Sequence, residues 1–229
     1  MKVKLALVGR NISHSRSPEM YQKLMTINFD YELLDFENSN QIPRLGEILS
    51  IYNGINITSP YKEHFLSEVE CLENSSILGA INCIRNNHGR FQAINTDYFA
   101  LCDLLERYNI TSKYEVLVLG DGVMSRVVSH ALKSKQLSHR ILSRKLTDHF
   151  GQLNILELVN QNDVVVINTC AREYCYRGPI SKTSLFWDLN YSHEVNRAEI
   201  GKKCQYIDGL DLLFVQAEYA VKFWSGIIF

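Results

Sequence analysis

The chain has 229 residues, enough for one large domain or two smaller ones. Apolar residues make up 46% of it and charged residues 21%, as in ordinary globular proteins. With 24 Lys plus Arg against 25 Asp plus Glu, the net charge of -1 excludes a protein that attracts nucleic acid or anionic membrane through its overall charge. Any anionic ligand therefore needs a local binding site.

The N-terminal segment MKVKLALVGR predicts a buried β-strand and not a signal peptide, because its apolar run is short and Gly9 and Arg10 follow it. No apolar run reaches the roughly 18 residues that a membrane span requires. The six cysteines are scattered without a C-x-x-C pair, which favours free thiols in a reducing compartment, so we expect a cytoplasmic protein. The seven histidines form no H-E-x-x-H motif and no cluster with cysteine, so no metal site is predicted.

Short apolar runs typical of β-strands alternate along the chain with segments of helical period. The predicted strands are residues 3–8, 31–36, 54–57, 116–119, 140–142, 164–167 and 185–189. The predicted helices are residues 18–27, 61–69, 98–108, 123–133 and 209–224. This alternation predicts an α/β fold with mostly parallel sheets. Strand-turn-helix openings at Gly9 and Gly120 indicate two α/β units, with a linker over residues 108–113.

Small polar side chains crowd the segment after the first strand. Ser13, Ser15 and Ser17 alternate just before Pro18, which is typical of the first turn of a helix. Ligands of open α/β sheets bind beyond the carboxyl ends of strands, and hydroxyls beside a helix N-terminus suit a carboxylate. The alternative is that Ser17 only caps the helix, and for this segment taken alone that explanation is favoured.

A lysine and an aspartate follow two later apolar runs. Lys62 ends the segment Asn56-Ile57-Thr58-Ser59-Pro60-Tyr61-Lys62, on the first turn of a predicted helix, where the helix dipole favours acids instead. Asp97 ends the segment Ala93-Ile94-Asn95-Thr96-Asp97. A lysine beside a carboxylate in a cleft can hold and transfer a proton near neutral pH. Taken singly, each has a simpler explanation, as a solvated lysine and as a helix cap.

The segment Gly120-Asp121-Gly122-Val123-Met124-Ser125 is a G-x-G-x-x-S variant of the dinucleotide fingerprint, with a strand before it and a helix after it. About twenty residues further on, where an NAD site has an acid, the chain has Ser143-Arg144-Lys145. Two cations suit a 2′-phosphate, so NADP is favoured as the cofactor, although NAD is not excluded. The alternative is a solvated basic loop. Later in the chain, Gln216 interrupts an apolar helix and needs a polar partner or a ligand.

In this order and spacing the motifs resemble the shikimate dehydrogenase family, over nearly the whole chain from Leu7 to Trp224. The resemblance implies that Lys62 is catalytic with Asp97 as its partner. The implied substrate-binding residues are Ser15 and Ser17, for the carboxylate, and Asn56, Thr58, Asn82, Asn95, Tyr191 and Gln216. The implied cofactor-binding residues are Gly120, Gly122, Ser125, Ser143, Arg144, Lys145, Asn168, Thr169 and Gly209.

The resemblance also implies a substrate-binding and catalytic domain, residues 1–97 plus 208–229, and a Rossmann-like NADP-binding domain, residues 98–207, separated by a cleft. The implied reaction is the reversible reduction of 3-dehydroshikimate to shikimate by NADPH, a step of aromatic amino acid biosynthesis. The expected partner is a small carboxylate substrate, with no nucleic acid or membrane, and the protein is expected to be a monomer or a homodimer.

The glycine loop departs from the family's usual G-A-G-G-A at Asp121, Val123 and Met124. Asp121 places a negative charge near the expected pyrophosphate, so one alternative is a non-catalytic relative that binds a shikimate-type ligand and has an impaired cofactor site. The pair Lys62 and Asp97 disfavours this alternative, because a binding protein needs no proton-transfer pair. A dehydrogenase of quinate or amino-shikimate is the second alternative, which the sequence does not separate from the first interpretation.

Overall fold

The structure is a computed structural model and describes residues 2–145, 150–160, 163–191 and 193–225. It divides the chain into two compact units. Unit 1 comprises Met1–Ala100 and Leu213–Phe229, and unit 2 comprises Leu101–Leu212. The sequence placed the corresponding boundaries a few residues earlier, before residues 98 and 208. Among the described residues, no helix combines the length and the apolar character that crossing a membrane requires.

The elements of the first part of the chain are β1 (Val3–Gly9), α1 (Ser17–Leu24), β2 (Phe29–Asp35), α2 (Leu45–Ile51), β3 (Gly54–Ile57), β4 (Glu70–Cys71), α3 (Ser75–Leu78), β5 (Cys83–Asn87), β6 (Arg90–Ile94) and α4 (Thr96–Arg107). Those of the second part are β7 (Glu115–Leu119), α5 (Val123–Ser134), β8 (His139–Leu142), β9 (Val164–Asn168), β10 (Leu185–Asp188), α6 (Glu194–Ile200), β11 (Gln205–Ile207) and α7 (Leu210–Trp224). Short 3-10 turns lie at Ser39–Gln41, Phe150–Gln152 and Ile155–Glu157.

The sheet of unit 1 has six strands in the order β2-β1-β3-β5-β6-β4. Strand β1 pairs in parallel with β2 and β3, whereas β5 runs antiparallel to both β3 and β6. The β5–β6 hairpin, which the sequence did not predict, turns at His88 and Gly89. Their φ angles of 51° and 86° are both positive, as in the type I′ turns that close two-residue hairpins. The effect of the hairpin is to start β5 and end β6 at the sheet edge where β1 and β3 end.

Each face of this sheet carries its own apolar core, because side chains alternate along a strand. Ala6 and Val8 of β1 belong to the core that α2 covers, and Val3 and Leu5 to the core that α1 and the end of α7 cover. Trp224 of α7 is fully buried, and its indole N–H donates to the carbonyl oxygen of Ile84 at 3.1 Å. The last helix therefore forms part of the core of unit 1.

The sheet of unit 2 has five strands in the order β11-β10-β9-β7-β8, and each pair of neighbours is parallel. Strand β9 and strand β10 are buried along their full length, as expected where helices cover both faces of a parallel sheet. Helix α5 connects β7 to its parallel neighbour β8, a strand-helix-strand unit typical of nucleotide-binding folds. The carboxyl ends of these strands share one edge.

One predicted helix is wrong. Residues 61–69 form successive turns closed by hydrogen bonds between residues three apart, such as Tyr61 N–H to Thr58 and His64 N–H to Tyr61, and no α-helix. The helical period that suggested the helix comes from Tyr61 and Phe65, four residues apart and both buried in the α2-side core. Burial at that spacing is possible in a chain of tight turns as well. Lys62 accordingly lies in a turn and not at the start of a helix.

Candidate active site

Four segments of unit 1 meet at one edge of its sheet. The backbone N–H of Thr58 donates to Val8, that of Ile57 to Asn82, and that of Asn82 to Ile94, so the ends of β1, β3 and β6 are tied to the start of β5. These segments carry the predicted substrate-binding and catalytic residues of unit 1 other than Gln216, namely Ser15, Ser17, Asn56, Thr58, Lys62, Asn82, Asn95 and Asp97.

Lys62 and Asp97 form an ion pair at this edge. Lys62 Nζ lies 2.6 Å from Asp97 Oδ2, and only 11% and 10% of the two side chains are exposed. The carbonyl oxygen of Lys62 accepts the backbone N–H of Ile81 at 2.8 Å, which holds the lysine in place. Charges this deeply buried require each other's compensation. An ammonium held in this way can deliver a proton to a reacting oxygen, and the neutral amine that remains regains a proton from solvent while the carboxylate keeps it in position.

The simpler explanations of these two residues do not apply. Helix α4 begins at Thr96, and Asn95 Oδ1 caps it by accepting the backbone N–H of Tyr98 at 3.2 Å. Asp97 is therefore not needed as the cap, and Lys62, which is 8% exposed, is not a solvated lysine. Asn95 Nδ2 donates to the carbonyl oxygen of Ala80 at 3.0 Å, so both ends of this amide bond to the scaffold.

Asn56 is likewise engaged within unit 1. Its Oδ1 accepts the hydroxyls of Tyr21 at 2.7 Å and Tyr31 at 2.9 Å, and its Nδ2 donates to the carbonyl oxygen of Asn82 at 3.2 Å. The two tyrosine rings stack at a centroid distance of 4.7 Å. The contacts of Asn56 and Asn95 indicate that they shape the sheet edge, and substrate contact by either stays a prediction.

A threonine that the sequence interpretation did not single out connects two predicted residues. Thr96 is fully buried, and its backbone N–H donates to Asn82 Oδ1 at 2.6 Å. Its hydroxyl oxygen lies 3.1 Å from Asn82 Oδ1 and 3.1 Å from Gln216 Oε1, so a single hydrogen is shared between two acceptors. The sequence could have indicated a role for Thr96 only through its position between the predicted residues Asn95 and Asp97.

Thr96 also fixes the direction of the two amides. Because Asn82 Oδ1 faces Thr96, Asn82 Nδ2 points elsewhere, and it makes no hydrogen bond to another described residue. Gln216 Nε2 donates to the carbonyl oxygen of Leu213 at 2.8 Å and keeps one further hydrogen. Gln216 thus has the protein partners that a buried glutamine requires, and Asn82 retains donors for a ligand.

The two serines of the first loop bond to each other. Ser15 Oγ accepts the backbone N–H of Ser17 at 3.3 Å and donates to Ser17 Oγ at 3.2 Å. The residue before α1 is Arg16, and no side chain caps this helix, so Ser17 is not a cap. In this arrangement the Ser17 hydroxyl keeps its own hydrogen for an acceptor such as a carboxylate. The hydroxyl of Thr58 makes no hydrogen bond to a described residue either.

Unit 2 has its own candidate site at the end of β7. Gly120 has φ +109°, and a Cβ on it would lie 2.6 Å from Thr169 Oγ1, so the turn requires glycine. Around Gly122, which precedes α5, a Cβ would meet no atom within 4 Å. Ser125 Oγ, in the first turn of α5, is buried without a hydrogen-bond partner among the described residues. A glycine turn, an open helix start and an unsatisfied hydroxyl fit the pyrophosphate of a dinucleotide.

The predicted phosphate-binding segment follows β8. Ser143 is 2% exposed, whereas Arg144 and Lys145 are exposed. Lys145 Nζ lies 3.0 Å from Asp121 Oδ2, so the lysine is bonded to the acid of the glycine loop. The hydrogen bond from Lys145 lowers the pKa of Asp121, and the Ser143 hydroxyl contributes to the same effect.

Asn168 and Thr169, at the end of β9, bond to the scaffold. Asn168 is fully buried, its Nδ2 donates to Asp188 Oδ1 at 3.0 Å, and its Oδ1 accepts the backbone N–H of Cys170 at 3.1 Å. Thr169 Oγ1 donates to the carbonyl oxygen of Leu119 at 2.7 Å. Burial, with the charge of Asp188 adding to it, raises the pKa of Cys170 to about 12, so this thiol is uncharged at neutral pH.

Asp188 at the end of β10 is a functional-site neighbour that sequence interpretation missed. Its carboxylate is fully buried and forms no ion pair with a described cation. The groups that donate to it are Asn168 Nδ2, Asn190 N–H, Asn190 Nδ2, Asn196 Nδ2 and Tyr206 Oη. In the sequence Asp188 is distinguished only by the apolar strand before it. Every strand end has that feature, so the sequence does not single out this residue.

Tyr191 and Gly209 also lie in unit 2. The guanidinium of Arg172 lies 5.2 Å from the centroid of the Tyr191 ring. Gly209 N–H donates to the carbonyl oxygen of Asn190 at 3.1 Å, and a Cβ on Gly209 would lie 2.2 Å from the carbonyl oxygen of Leu189. Glycine is therefore required at position 209 for backbone packing, whether or not a cofactor contacts it.

We expect Gly209→Ala to lower the free energy of unfolding by about 1–3 kcal/mol, because backbone atoms must move to admit the methyl group. Urea denaturation followed by circular dichroism measures this loss. The matched control is Gly46→Ala in α2, where a Cβ would lie 3.7 Å from Phe91, an ordinary contact, and where alanine favours the helix. Equal unfolding midpoints for the two variants would contradict the packing argument.

Comparison with known proteins finds relatives in one family. Residues 7–84 match the model of the family described as shikimate dehydrogenase substrate binding domain. The shikimate dehydrogenase of Sulfurisphaera tokodaii is 28% identical over 239 residues, which cover 97% of this chain and 89% of the relative. Along nearly its whole length the chain is similar to shikimate dehydrogenases. The shikimate dehydrogenase (NADP(+)) of Clostridium botulinum is 28% identical over 249 residues. The match covers 95% of this chain and 95% of the relative, so the similarity extends over unit 2.

Solved structures of the family have the same fold. The shikimate dehydrogenase of Aquifex aeolicus matches with a TM-score of 0.81 at 23% identity, over 100% of this chain and 94% of that one. The Thermus thermophilus enzyme in complex with NADP(H) and shikimate matches with a TM-score of 0.78 at 23% identity, over 99% and 94%. The predicted α/β fold with a Rossmann-like second part is confirmed. The predicted resemblance to the shikimate dehydrogenase family is confirmed by the match over residues 7–84.

Proposed function

We propose that the protein is an NADP-dependent dehydrogenase that catalyses the reversible reduction of 3-dehydroshikimate to shikimate. The observation that carries this proposal is the buried ion pair of Lys62 and Asp97, 2.6 Å apart at a sheet edge that also presents hydroxyl and amide donors. A ligand-binding protein has no use for such a pair, whereas a dehydrogenase must move a proton whenever it moves a hydride.

In the direction of reduction, Lys62 donates a proton to the oxygen that becomes the ring hydroxyl. Asp97 holds the ammonium in position through the 2.6 Å contact and balances its charge in a setting with little solvent. Ser15 and Ser17 bind the substrate carboxylate, with the Ser17 hydroxyl donating to it and Ser15 holding Ser17 through its own hydroxyl hydrogen. Asn82 Nδ2 and Thr58 Oγ1 supply further hydrogen bonds to ring substituents. In the reverse direction the neutral amine of Lys62 removes the proton from the same hydroxyl and becomes the ammonium.

The residues of unit 2 would hold the cofactor, which supplies or accepts the hydride when bound. Gly120, Gly122 and Ser125 would bind the pyrophosphate at the start of α5, and Arg144 and Lys145 the 2′-phosphate. The charge of Asp121 does not forbid this, because the ammonium of Lys145 lies 3.0 Å away and compensates it. This compensation supports the enzyme over the alternative of a binding protein with an impaired cofactor site.

The test is an absorbance assay of the purified protein with shikimate and NADP⁺, alongside a fluorescence titration with NADPH. We expect saturable turnover that requires both compounds. Shikimate binding without any NADPH binding at millimolar cofactor would overturn the proposal and favour the non-catalytic relative. Comparison of kcat/KM for shikimate, quinate and amino-shikimate in the same assay decides among the ring substrates.

We further propose a cytoplasmic monomer or homodimer whose partner is the small carboxylate substrate. The six cysteines are free thiols in the structure, which supports a reducing compartment. Sedimentation of the purified protein tests the oligomeric state, and microscopy of the fluorescently tagged protein in cells tests the compartment.

A further inference from the structure

The glycine loop of unit 2 contains a carboxylate that bonds to a predicted phosphate-binding lysine. Asp121 lies between the two glycines of the loop after β7, and its Oδ2 is 3.0 Å from Nζ of Lys145 in the loop after β8. The two loops are neighbours because β7 and β8 pair in parallel, with Leu119 opposite Leu142, and because Gly120 N–H donates to the carbonyl oxygen of Leu142 at 2.8 Å.

We propose that Asp121 competes with the 2′-phosphate of NADP for Lys145. This competition makes the preference of the protein for NADP over NAD weaker than Arg144 and Lys145 alone would produce. The inference rests on the proposed function, since it assigns Lys145 to the cofactor. It adds a specificity-determining residue at the position where the chain departs from the usual glycine loop.

Charge explains the competition. The carboxylate of Asp121 and the 2′-phosphate would bind the same ammonium of Lys145. A phosphate that approaches this ammonium also approaches the negative charge of Asp121, which repels it. The hydrogen bonds from Lys145 and Ser143 keep the pKa of Asp121 below its usual value, so this charge is present at neutral pH. Two of the three residues predicted to read the phosphate, Ser143 and Lys145, therefore already face an anion of the protein.

Arg144 keeps the site cationic. It forms no ion pair with a described acid, so its guanidinium remains available to a phosphate while Lys145 is shared. Among the described residues at this strand end, the ionised Asp121 lowers the net positive charge from two to one. A 2′-phosphate thus binds, but it gains less than the residues Arg144 and Lys145 alone would provide.

The same carboxylate favours the cofactor without the phosphate. NAD sites of this fold have an acid near the end of the second strand, where it accepts a hydrogen bond from the ribose 2′-hydroxyl. Asp121 brings a carboxylate to the end of β8 from the neighbouring loop, since it is hydrogen-bonded to Ser143, the residue directly after β8. Asp121 therefore weakens the binding of NADP and strengthens the binding of NAD, which reduces the difference between the two binding affinities.

The experiment measures binding of NADP⁺, NAD⁺ and adenosine 2′,5′-bisphosphate by calorimetry for the native protein and for Asp121→Asn. We expect NADP⁺ and the bisphosphate to bind about 3–10-fold more tightly to the variant, because one unit of like charge at partly screened distance is removed. NAD⁺ binding should stay unchanged or weaken. The control Glu199→Gln makes the same change of net charge at an exposed position of α6 and should alter none of the three constants.

A second pair of variants tests the competition itself. In a Lys145→Met background the ammonium is gone, so Asp121→Asn should change NADP⁺ binding by a clearly different factor than in the native background. Equal factors in both backgrounds, or an Asp121→Asn ratio of NADP⁺ to NAD⁺ affinity within twofold of the native ratio, would overturn the inference alone. If the native protein binds neither nucleotide, the proposed function fails and the inference with it.

Discussion

Replacement of Lys62 by alanine is expected to lower kcat by about 10²–10⁴-fold, while the dissociation constant for shikimate changes by only a modest factor. The reason is that the variant loses the ammonium held at the sheet edge, 2.6 Å from Asp97, but keeps the hydroxyls and amides that we assign to substrate binding. Steady-state assays give kcat, and calorimetry with shikimate gives the dissociation constant.

The control for this variant is Lys23→Ala, which removes an exposed lysine of α1 and should leave kcat unchanged. Near-normal turnover in Lys62→Ala would contradict the proposed mechanism. Lys62→Arg separates two roles, because arginine keeps the positive charge but gives up no proton at accessible pH. Low turnover in that variant with shikimate binding intact supports proton transfer, whereas substantial turnover would assign Lys62 to charge stabilisation alone.

The parts of the site that could be predicted from the sequence are those in which local pattern and chemistry agree. Strand β3 ends at Ile57 as predicted, and the polar residues that follow it come to the sheet edge for that reason. Lys62 and Asp97 are far apart in the chain, and they follow strands β3 and β6, which run in the same direction. Strand β5 lies between these two strands and is antiparallel to both, so the hairpin that the sequence did not predict brings the two residues to one sheet edge. The nucleotide loop was equally visible, since Gly120 and Gly122 stand between a buried strand and a helix.

What could not be predicted depends on tertiary contacts. The sequence motif predicts that Asn56 binds the substrate. In the structure its amide oxygen accepts hydrogen bonds from the hydroxyls of Tyr21 in α1 and Tyr31 in β2, which lie far from it in the sequence. The ion pair of Asp121 with Lys145 joins two loops whose side-chain directions the sequence does not contain. The helix predicted over residues 61–69 failed for a related reason, since burial of Tyr61 and Phe65 imitates a helical period.

Asp188 lies deep in unit 2 and links four segments. One carboxylate oxygen accepts from Asn168 and Asn190, and the other from Asn196 Nδ2 at 2.8 Å and Tyr206 Oη at 3.1 Å. It thereby ties the ends of β9 and β10 to α6 and β11, and it holds the residues next to Cys170. A fully buried carboxylate without a cation is stable only through such donors, so the donors in turn depend on it.

We therefore expect Asp188→Asn to lower the free energy of unfolding of unit 2 by about 3 kcal/mol, since an amide of the same size turns an N–H group toward buried donors and loses charge-assisted hydrogen bonds. The two tryptophans allow a local measurement, because Trp187 lies in unit 2 and Trp224 in unit 1. In a Trp224→Phe background, urea denaturation followed by fluorescence reports on Trp187, and the midpoint should fall by about 1–2 M. Glu106→Gln makes the same chemical change in an exposed ion pair with Lys135, where a loss below about 1 kcal/mol is expected. Equal midpoints for the two variants would mean that the carboxylate charge of Asp188 does not organise this part of the nucleotide-binding unit.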